Sequence, residues 1–390
     1  MSGMIFERAH VFYSPNKVLF GPNTVKSVGN EILQLGGRKV LIITDPGIVQ
    51  ANLLQPVKAS LEAAGVSHAV YDQVKPEPPV ACVEEAVEKF KSEKCDLIVG
   101  VGGGSSLDVA KAVSLKLTND MSVLEMCGVD LVKKRGVPKI FIPTTSGTGS
   151  EVTRVSVLID EKQKVKTVIN SLYTLADVAI VDPLLTLSVP PKVTADTGMD
   201  AMVHAIEAYV AMSATPFSDI LAERAIQWIA RYLPMAWAKG SNLEARYYLS
   251  LAATMAGMAF ASGGLGAVHA LAYPVGTGFQ LSHGRANAIL LPHVMRYNLP
   301  GNPERYGVMA NLMGRDVEGL SSMEAAELAV EAVQDLLSQI AILYRLRDYG
   351  IPREAIPRLV EGGMSYARLF IINPRDLTEQ DVRSVYEEAY

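Results

Sequence analysis

The chain has 390 residues, 49% of them hydrophobic and 20% charged, which is the balance of a compact globular protein and not of a disordered one. It is too long for one ordinary core and predicts two domains. The formal net charge of −5 offers no broad basic field to nucleic acid or an anionic membrane. Three cysteines without a C-x-x-C pair fit a reducing cytoplasm.

The N-terminus has Glu7, Arg8 and His10 within its first ten residues and no apolar signal core. Beyond it, short apolar runs alternate with helical patterns. Val40-Leu-Ile-Ile-Thr44, Leu97-Ile-Val-Gly-Val101, Ile140-Phe-Ile142 and Val178-Ala-Ile-Val181 read as strands. Their β-branched content and lack of polar alternation suit a parallel sheet covered on both faces. Leu53 to Ala64 and Val83 to Phe90 show helical spacing. This β-α-β rhythm predicts a Rossmann-like α/β domain over residues 1–187.

Asp45 ends the Val40 strand. An acid there can bond a ribose 2′-hydroxyl and repel a 2′-phosphate; equally, Asp-Pro-Gly is a strand-end turn that needs no ligand. The run Gly100-Val-Gly-Gly-Gly-Ser-Ser-Leu-Asp-Val-Ala-Lys111 leads from the Leu97 strand into a helix. Glycines let a backbone approach phosphate, and a helix N-terminus aims N–H groups at it. Three consecutive glycines and two serines exceed what a plain turn needs. A second loop, Pro143-Thr-Thr-Ser-Gly-Thr-Gly-Ser-Glu151, follows the Ile140 strand with five hydroxyls; alone it could be a loop without a ligand. Together, at the carboxyl edge of one sheet, the two loops point to a dinucleotide. Neither matches the Walker pattern.

The rhythm stops near Asp182 to Pro191, where two adjacent prolines form a plausible hinge. Strand signals largely end there, and Ala-, Leu- and Met-rich periodic segments follow, such as Asp219 to Tyr232, Glu244 to Phe260 and Ser322 to Leu343. Residues 188–390 therefore read as an all-α domain. Tyr247 to Ser282 carries no charged side chain and is long enough to span a bilayer. Its glycines, Pro274 and His269 argue instead for a buried helix–loop–helix. Thr378-x-x-Asp381 resembles a capping box opening a last helix.

In this second half, Asp200 and His204 lie four residues apart, and His269 and His283 follow. On a helix, positions i and i+4 share a face. Three imidazoles and a carboxylate are what a first-row divalent metal takes up, and the chain has only six histidines from which to build this pattern. Glu207, one turn past His204, could orient a ligand or be a plain helix-face charge. His293 reads as a structural histidine, and His10 and His68 as ordinary ones. Asp196 and Arg154 suggest no chemical role.

These segments together resemble the iron-dependent (group III) alcohol dehydrogenase family. The matching stretches are Gly102 to Lys111, Pro143 to Thr153, Thr197 to Glu207, Gly266-Ala-Val-His-Ala-Leu-Ala-Tyr-Pro-Val-Gly276 and Ser282-His-Gly-Arg-Ala-Asn-Ala-Ile-Leu-Leu-Pro-His293. The resemblance implies a dinucleotide-binding domain followed by a helical metal-binding domain, the plan shared with dehydroquinate synthase, with metal and nicotinamide meeting between them. It implies Asp200, His204, His269 and His283 as ligands of Fe²⁺, with Zn²⁺ accepting the same set. It places Gly103, Gly104, Ser105, Asp108, Thr144, Thr145, Thr148 and Lys166 at the cofactor, and Asp45 where an acid goes with NAD rather than NADP. It implies a small alcohol or aldehyde as substrate and a cytoplasmic homodimer or higher homo-oligomer, with neither nucleic acid nor membrane as partner.

Two positions depart from the family pattern. Tyr273 stands where many members carry a second histidine, four residues after the third ligand, with a proton-relay role. Tyrosine donates a hydrogen bond but does not titrate near neutral pH. Glu77 stands where many have Asn near the adenosine end. The implied reaction is reversible hydride transfer between a primary alcohol, diol or hydroxy acid and the nicotinamide, with the metal as Lewis acid. A hydroxyacid–oxoacid transhydrogenase that retains its cofactor is the alternative, and would show ping-pong turnover. A dehydroquinate-synthase-like lyase is a more distant one.

Overall fold

The computed structural model describes residues 9–162 and 165–390. Glu7 and Arg8 lie outside the described residues. The chain divides into two compact units, Tyr13–Ser188 and Val189–Tyr390, and residues 9–12 group with the second.

The first unit is built on a six-stranded sheet in the order β1-β9-β6-β4-β2-β3, with every neighbouring pair parallel. The strands are β1 (Val18–Phe20), β2 (Lys39–Ile43), β3 (Ser67–Tyr71), β4 (Leu97–Gly102), β6 (Lys139–Pro143) and β9 (Val178–Val181). Helices α1 (Val28–Gln34), α2 (Pro46–Gln50), α3 (Gln55–Ala63), α4 (Val80–Ser92) and α5 (Gly104–Lys116) connect them. Two hydrophobic clusters explain why these strands show no polar alternation. Leu41, Ile43, Ile98 and Phe141 join one with α4 and α5. Val40, Ile42, Leu97, Val99, Ile140 and Ile142 join the other with α1 and α3. Successive side chains point to opposite faces, and both faces are covered.

The four strands expected from the sequence are all present, and β1 and β3 extend the sheet at its two edges. A smaller sheet, absent from the sequence reading, pairs β5 (Gly128–Val129) with β8 (Val165–Asn170) in parallel and β8 with β7 (Val155–Asp160) in antiparallel register. After β2 the chain turns one way to β3, and then crosses back to β4 on the other side of β2. The carboxyl ends of β2 and β4 thus form the topological switch point, where open α/β sheets bind ligands.

The second unit is helical: α6 (Pro191–Val210), α7 (Pro216–Ala238), α8 (Leu243–Gly263), α9 (Ala267–Phe279), α10 (His283–Asn298), α11 (Pro303–Leu312), α12 (Ser322–Gln339), α13 (Ile356–Met364) and α14 (Glu379–Glu388). Pro190 and Pro191, expected at a hinge, are the N-cap and first residue of α6, where proline's fixed φ is favourable. From Thr194 onward nearly every side chain of α6 is buried, as befits a helix apolar on all sides. It is the central helix of the unit, in contact with α7, α8 and α10. The capping box expected at α14 forms, with Thr378 Oγ1 accepting from Asp381 N and the Asp381 carboxylate accepting from Thr378 N. Among the described residues no single helix is long and apolar enough to cross a membrane. Helices α8 and α9 meet that test only as a pair, bent by 112° at their break.

Candidate metal centre and nucleotide loops

One turn of α6 separates Asp200 from His204, both buried. His269 lies in the first turn of α9 and His283 is the first residue of α10. The tertiary fold gathers one donor atom each from Asp200, His269 and His283 within 4.8 Å of one another. His283 Nε2 is 3.7 Å from Asp200 Oδ1. His204 stands beside this group: its Nε2 is 3.9 Å from the same oxygen. Its ring lies 5.0 Å from that of His269 and 4.4 Å from that of Phe260. Burial pushes the Asp200 carboxyl up, but the imidazoles of His204, His283 and His269 and the Asn287 amide outweigh it and hold the group below the usual carboxylate range.

The Glu207 side chain is 5% exposed. One carboxylate oxygen accepts from Val268 N at 2.6 Å, and the other is 2.6 Å from His269 Nδ1. The carboxylate therefore caps the start of α9, where a helix favours negative charge. With the Glu207 oxygen at Nδ1 and the Asn287 amide nitrogen 3.3 Å from Nε2, the contacts fit the tautomer that donates from Nδ1 and turns the Nε2 lone pair to the cluster. This is the carboxylate–histidine arrangement that orients metal-ligating imidazoles. The helix-face spacing of Glu207 hinted at it, but its partner lies 62 residues away.

Asp196 also acquires a role. Its carboxylate accepts from Ser282 Oγ at 2.6 Å and from Arg285 Nε at 2.6 Å, and Ser282 Oγ in turn accepts from Arg285 N as N-cap of α10. These bonds fasten the residues flanking His283 to the helix that carries Asp200 and His204. Tyr273 shares α9 with His269, and the two ring centroids are 6.4 Å apart. Its ring stacks on His283 at 5.5 Å and meets Tyr366 at 4.7 Å. Burial, then Tyr366 and the acids Glu207 and Asp200, raise the phenol above its ordinary pKa, against a weaker opposing pull from Arg368. His293 is structural: Nε2 lies 2.9 Å from Tyr344 O, and Nδ1 faces Glu388.

In the first unit, the glycine loop and the Thr/Ser loop lie side by side, with Thr144 N donating to Gly102 O at 3.0 Å. Gly103 is the N-cap of α5, and no side chain caps that helix start. Its φ of −78° is open to any residue, and a Cβ there would have only Thr145 Oγ1 at 3.6 Å as its nearest neighbour. The protein itself does not require glycine at this position; the bare face is room left beside the helix amides. Gly104 is closely packed, since a Cβ would come within 2.9 Å of Thr148. Ser105 follows it in the first turn of α5.

Asp108 is committed to protein partners. It accepts from Ser150 Oγ at 2.7 Å and from Val157 N at 3.0 Å, with buried Lys111 at 3.6 Å. It joins the two loops and β7 rather than facing outward. Asp45 realises the turn reading: Oδ1 accepts from Ile48 N as the N-cap of α2, and Oδ2 accepts from Ser106 Oγ at 3.0 Å. The second bond ties the end of β2 to the glycine helix. Lys166 pairs with Glu77 at 2.7 Å, and Glu77 itself occupies a left-handed φ of 48°. Arg154 is explained by an ion pair with Asp130 and a stack on Tyr13.

Residues 15–183 match the model of the iron-containing alcohol dehydrogenases, and residues 194–390 match that of the C-terminal domain of the same family. The chain is 44% identical over 363 residues to long-chain-alcohol dehydrogenase 1 of Geobacillus thermodenitrificans, a match that covers 92% of this chain and 91% of the relative. Among solved structures, a 1,3-propanediol oxidoreductase superposes with a TM-score of 0.96 at 40% identity, over 98% of this chain and 100% of the other. The sulfoacetaldehyde reductase of Bifidobacterium kashiwanohense, solved with NAD⁺, does so at 0.89 and 30% identity, over 98% and 99%. The chain belongs to the iron-containing alcohol dehydrogenase family. It is an oxidoreductase of that type, interconverting alcohols and aldehydes reversibly.

Proposed function

We propose that the protein is an NAD-linked dehydrogenase that holds one divalent iron on Asp200, His204, His269 and His283. The observation that carries the assignment is the Glu207–His269 pair. It leaves an imidazole nitrogen directed toward the Asp200 carboxylate and a second imidazole, a set of donors that one divalent cation can join. Zinc accepts the same donors. The nucleotide is read along Gly103, Gly104, Ser105, Thr144, Thr145 and Thr148, and the open face of Gly103 beside an uncapped helix start supports it. Lys166 and Asp45 are read at the ribose end, and Asp108 as the acid that holds the two loops in place. The substrate class is a primary alcohol, small diol or hydroxy acid with its carbonyl partner. The names of the relatives, a long-chain-alcohol dehydrogenase and a 1,3-propanediol oxidoreductase, fall within it.

When bound, the ion supplies Lewis acidity and the nicotinamide exchanges a hydride. The protein's own contribution is positional. Glu207 fixes the tautomer and tilt of His269, and the Asp196–Arg285–Ser282 bonds fix the start of α10. The Tyr273 ring stacks on His283 and its phenol is raised above its ordinary pKa by burial, so it is read as a hydrogen-bond donor at the site. A homodimer or higher homo-oligomer in the cytoplasm completes the reading.

Metal analysis tests it directly. The wild type reconstituted with Fe²⁺ is expected to hold one ion per chain and to turn over small alcohols with NAD. His269→Ala should lose the ion and nearly all activity while keeping its circular dichroism spectrum. Metal retention with full activity in that variant, or equal turnover with no metal, would refute the assignment.

A further inference from the structure

Asn287 lies on α10 one turn beyond His283 and is fully buried. Its Nδ2 is 2.8 Å from Asp200 Oδ1, 3.2 Å from His283 Nε2 and 3.3 Å from His269 Nε2. One amide group therefore faces all three donors of the cluster. Its Oδ1 is buried and has no hydrogen-bond partner among the described residues. An orphaned buried acceptor is destabilising, because it gives up its bond to water without replacing it. An apolar side chain of similar shape would avoid that cost, so fold stability alone gives no reason for an amide here.

Orientation gives one. A carboxylate turns freely about its last torsion, and Asp200 projects from a helix into a space shared with three imidazoles. Asp200 Oδ1 is also the oxygen nearest His204 Nε2 and His283 Nε2, at 3.9 and 3.7 Å, so the Asn287 N–H fixes the carboxylate torsion with Oδ1 turned toward the imidazoles and its second lone pair left to bind. The bond to Asp200 is compatible with an ion held by the other lone pairs. The two longer approaches to the imidazoles are not, because those lone pairs would be taken. Resting on the metal-site assignment above, we infer that Asn287 is a positioning residue of the ion site, which holds the Asp200 carboxylate in its ligating orientation by the Nδ2–H···Oδ1 hydrogen bond.

The test compares wild type, Asn287→Leu and Asn287→Ala, each stripped with chelator and titrated with Co²⁺ against a chromophoric competitor. The visible Co²⁺ absorption and the ion-free melting temperature are recorded alongside. All three proteins should take up one Co²⁺ per chain. Both variants should bind roughly 10- to 100-fold more weakly, the usual effect of losing such an outer partner, with a shifted absorption band and an ion-free melt within a few degrees of wild type. Unchanged or tighter Co²⁺ binding with the wild-type spectrum would overturn the inference and make Asn287 a mere filler. A collapse of the ion-free fold in both variants would also overturn it, by making the amide structural. Failure of the wild type itself to bind Co²⁺ would instead overturn the metal-site assignment, and the inference with it.

Discussion

Gly284 immediately follows His283, and its position sets how closely α10 can approach α6. A Cβ built at Gly284 would lie 2.0 Å from the carbonyl oxygen of Asp196 and 3.2 Å from the Cβ of Asp200. Ordinary contact begins at 3.4 Å, so Gly284→Ala must drive the two helices apart by roughly 1.4 Å at that point, or kink one of them. The obstructing atom is backbone in a buried helix, so no side chain can swing away. Overpacking of this kind costs about 1–3 kcal/mol in stability. The effect on the site should be larger in proportion. Binding constellations need their members held within about 0.5 Å, and Asp200 and His283 ride on the two helices being separated. A displacement near 1 Å is worth about 10²-fold. Gly284→Ala should therefore lower divalent-ion affinity by about 10²-fold, measured by chelator competition, with a drop of a few degrees in melting temperature. Gly278→Ala is the control, because a Cβ there meets only the far end of the Arg358 side chain, at 3.1 Å; it should leave both readings unchanged. Wild-type ion affinity in Gly284→Ala would refute the claim that this helix contact sets the ligand geometry.

Asp45→Asn keeps one acceptor oxygen for the α2 cap and turns an amide NH2 toward Ser106 Oγ, which can accept from it, while the charge is removed. If Asp45 opposes a 2′-phosphate, kcat/KM with NADP should rise about tenfold, or ~1.4 kcal/mol, while that with NAD holds or falls. A wild-type preference for NADP would refute the placement. Tyr273→Phe should lower turnover by roughly 10²-fold if the phenol hands on a proton; an unchanged rate with altered substrate preference would show that it only shapes the pocket. Burial raises the phenol above its ordinary pKa, so the wild type is expected to show no pH-rate arm near neutrality from Tyr273. Tyr273→His adds a group that loses its proton near pH ~6.5, so the lower arm should move toward neutral. An unchanged profile in both variants would remove Tyr273 from the proton path.

The sequence by itself determined those features whose cause is local or motif-borne. The strands β2, β4, β6 and β9 were legible because burial on both faces leaves runs that are almost wholly apolar. The α14 cap was legible because a capping box is a contact three residues long. The i and i+4 spacing of Asp200 and His204 placed both on one face of a helix, and the glycine loop announced a helix start after the Leu97 strand. The edge strands β1 and β3 and the β7–β8 pair were not legible. Their residues are half-exposed or bonded across a small sheet, so their patterns are mixed and only pairing makes them strands. The site divides along the same line. Nothing near Glu207 in the chain says that its carboxylate meets His269, nor does the spacing of Asp196 reveal that it fastens the start of α10. Asn287 could be placed on the face of His283 by counting, but its approach to Asp200 and His269 depends on how three helices cross. Residue type and spacing decide which side chains can do the chemistry. Which hydrogen bonds hold them in place is settled by the packing of helices distant in sequence, because a bond of 2.6 to 2.8 Å tolerates no freedom in that packing.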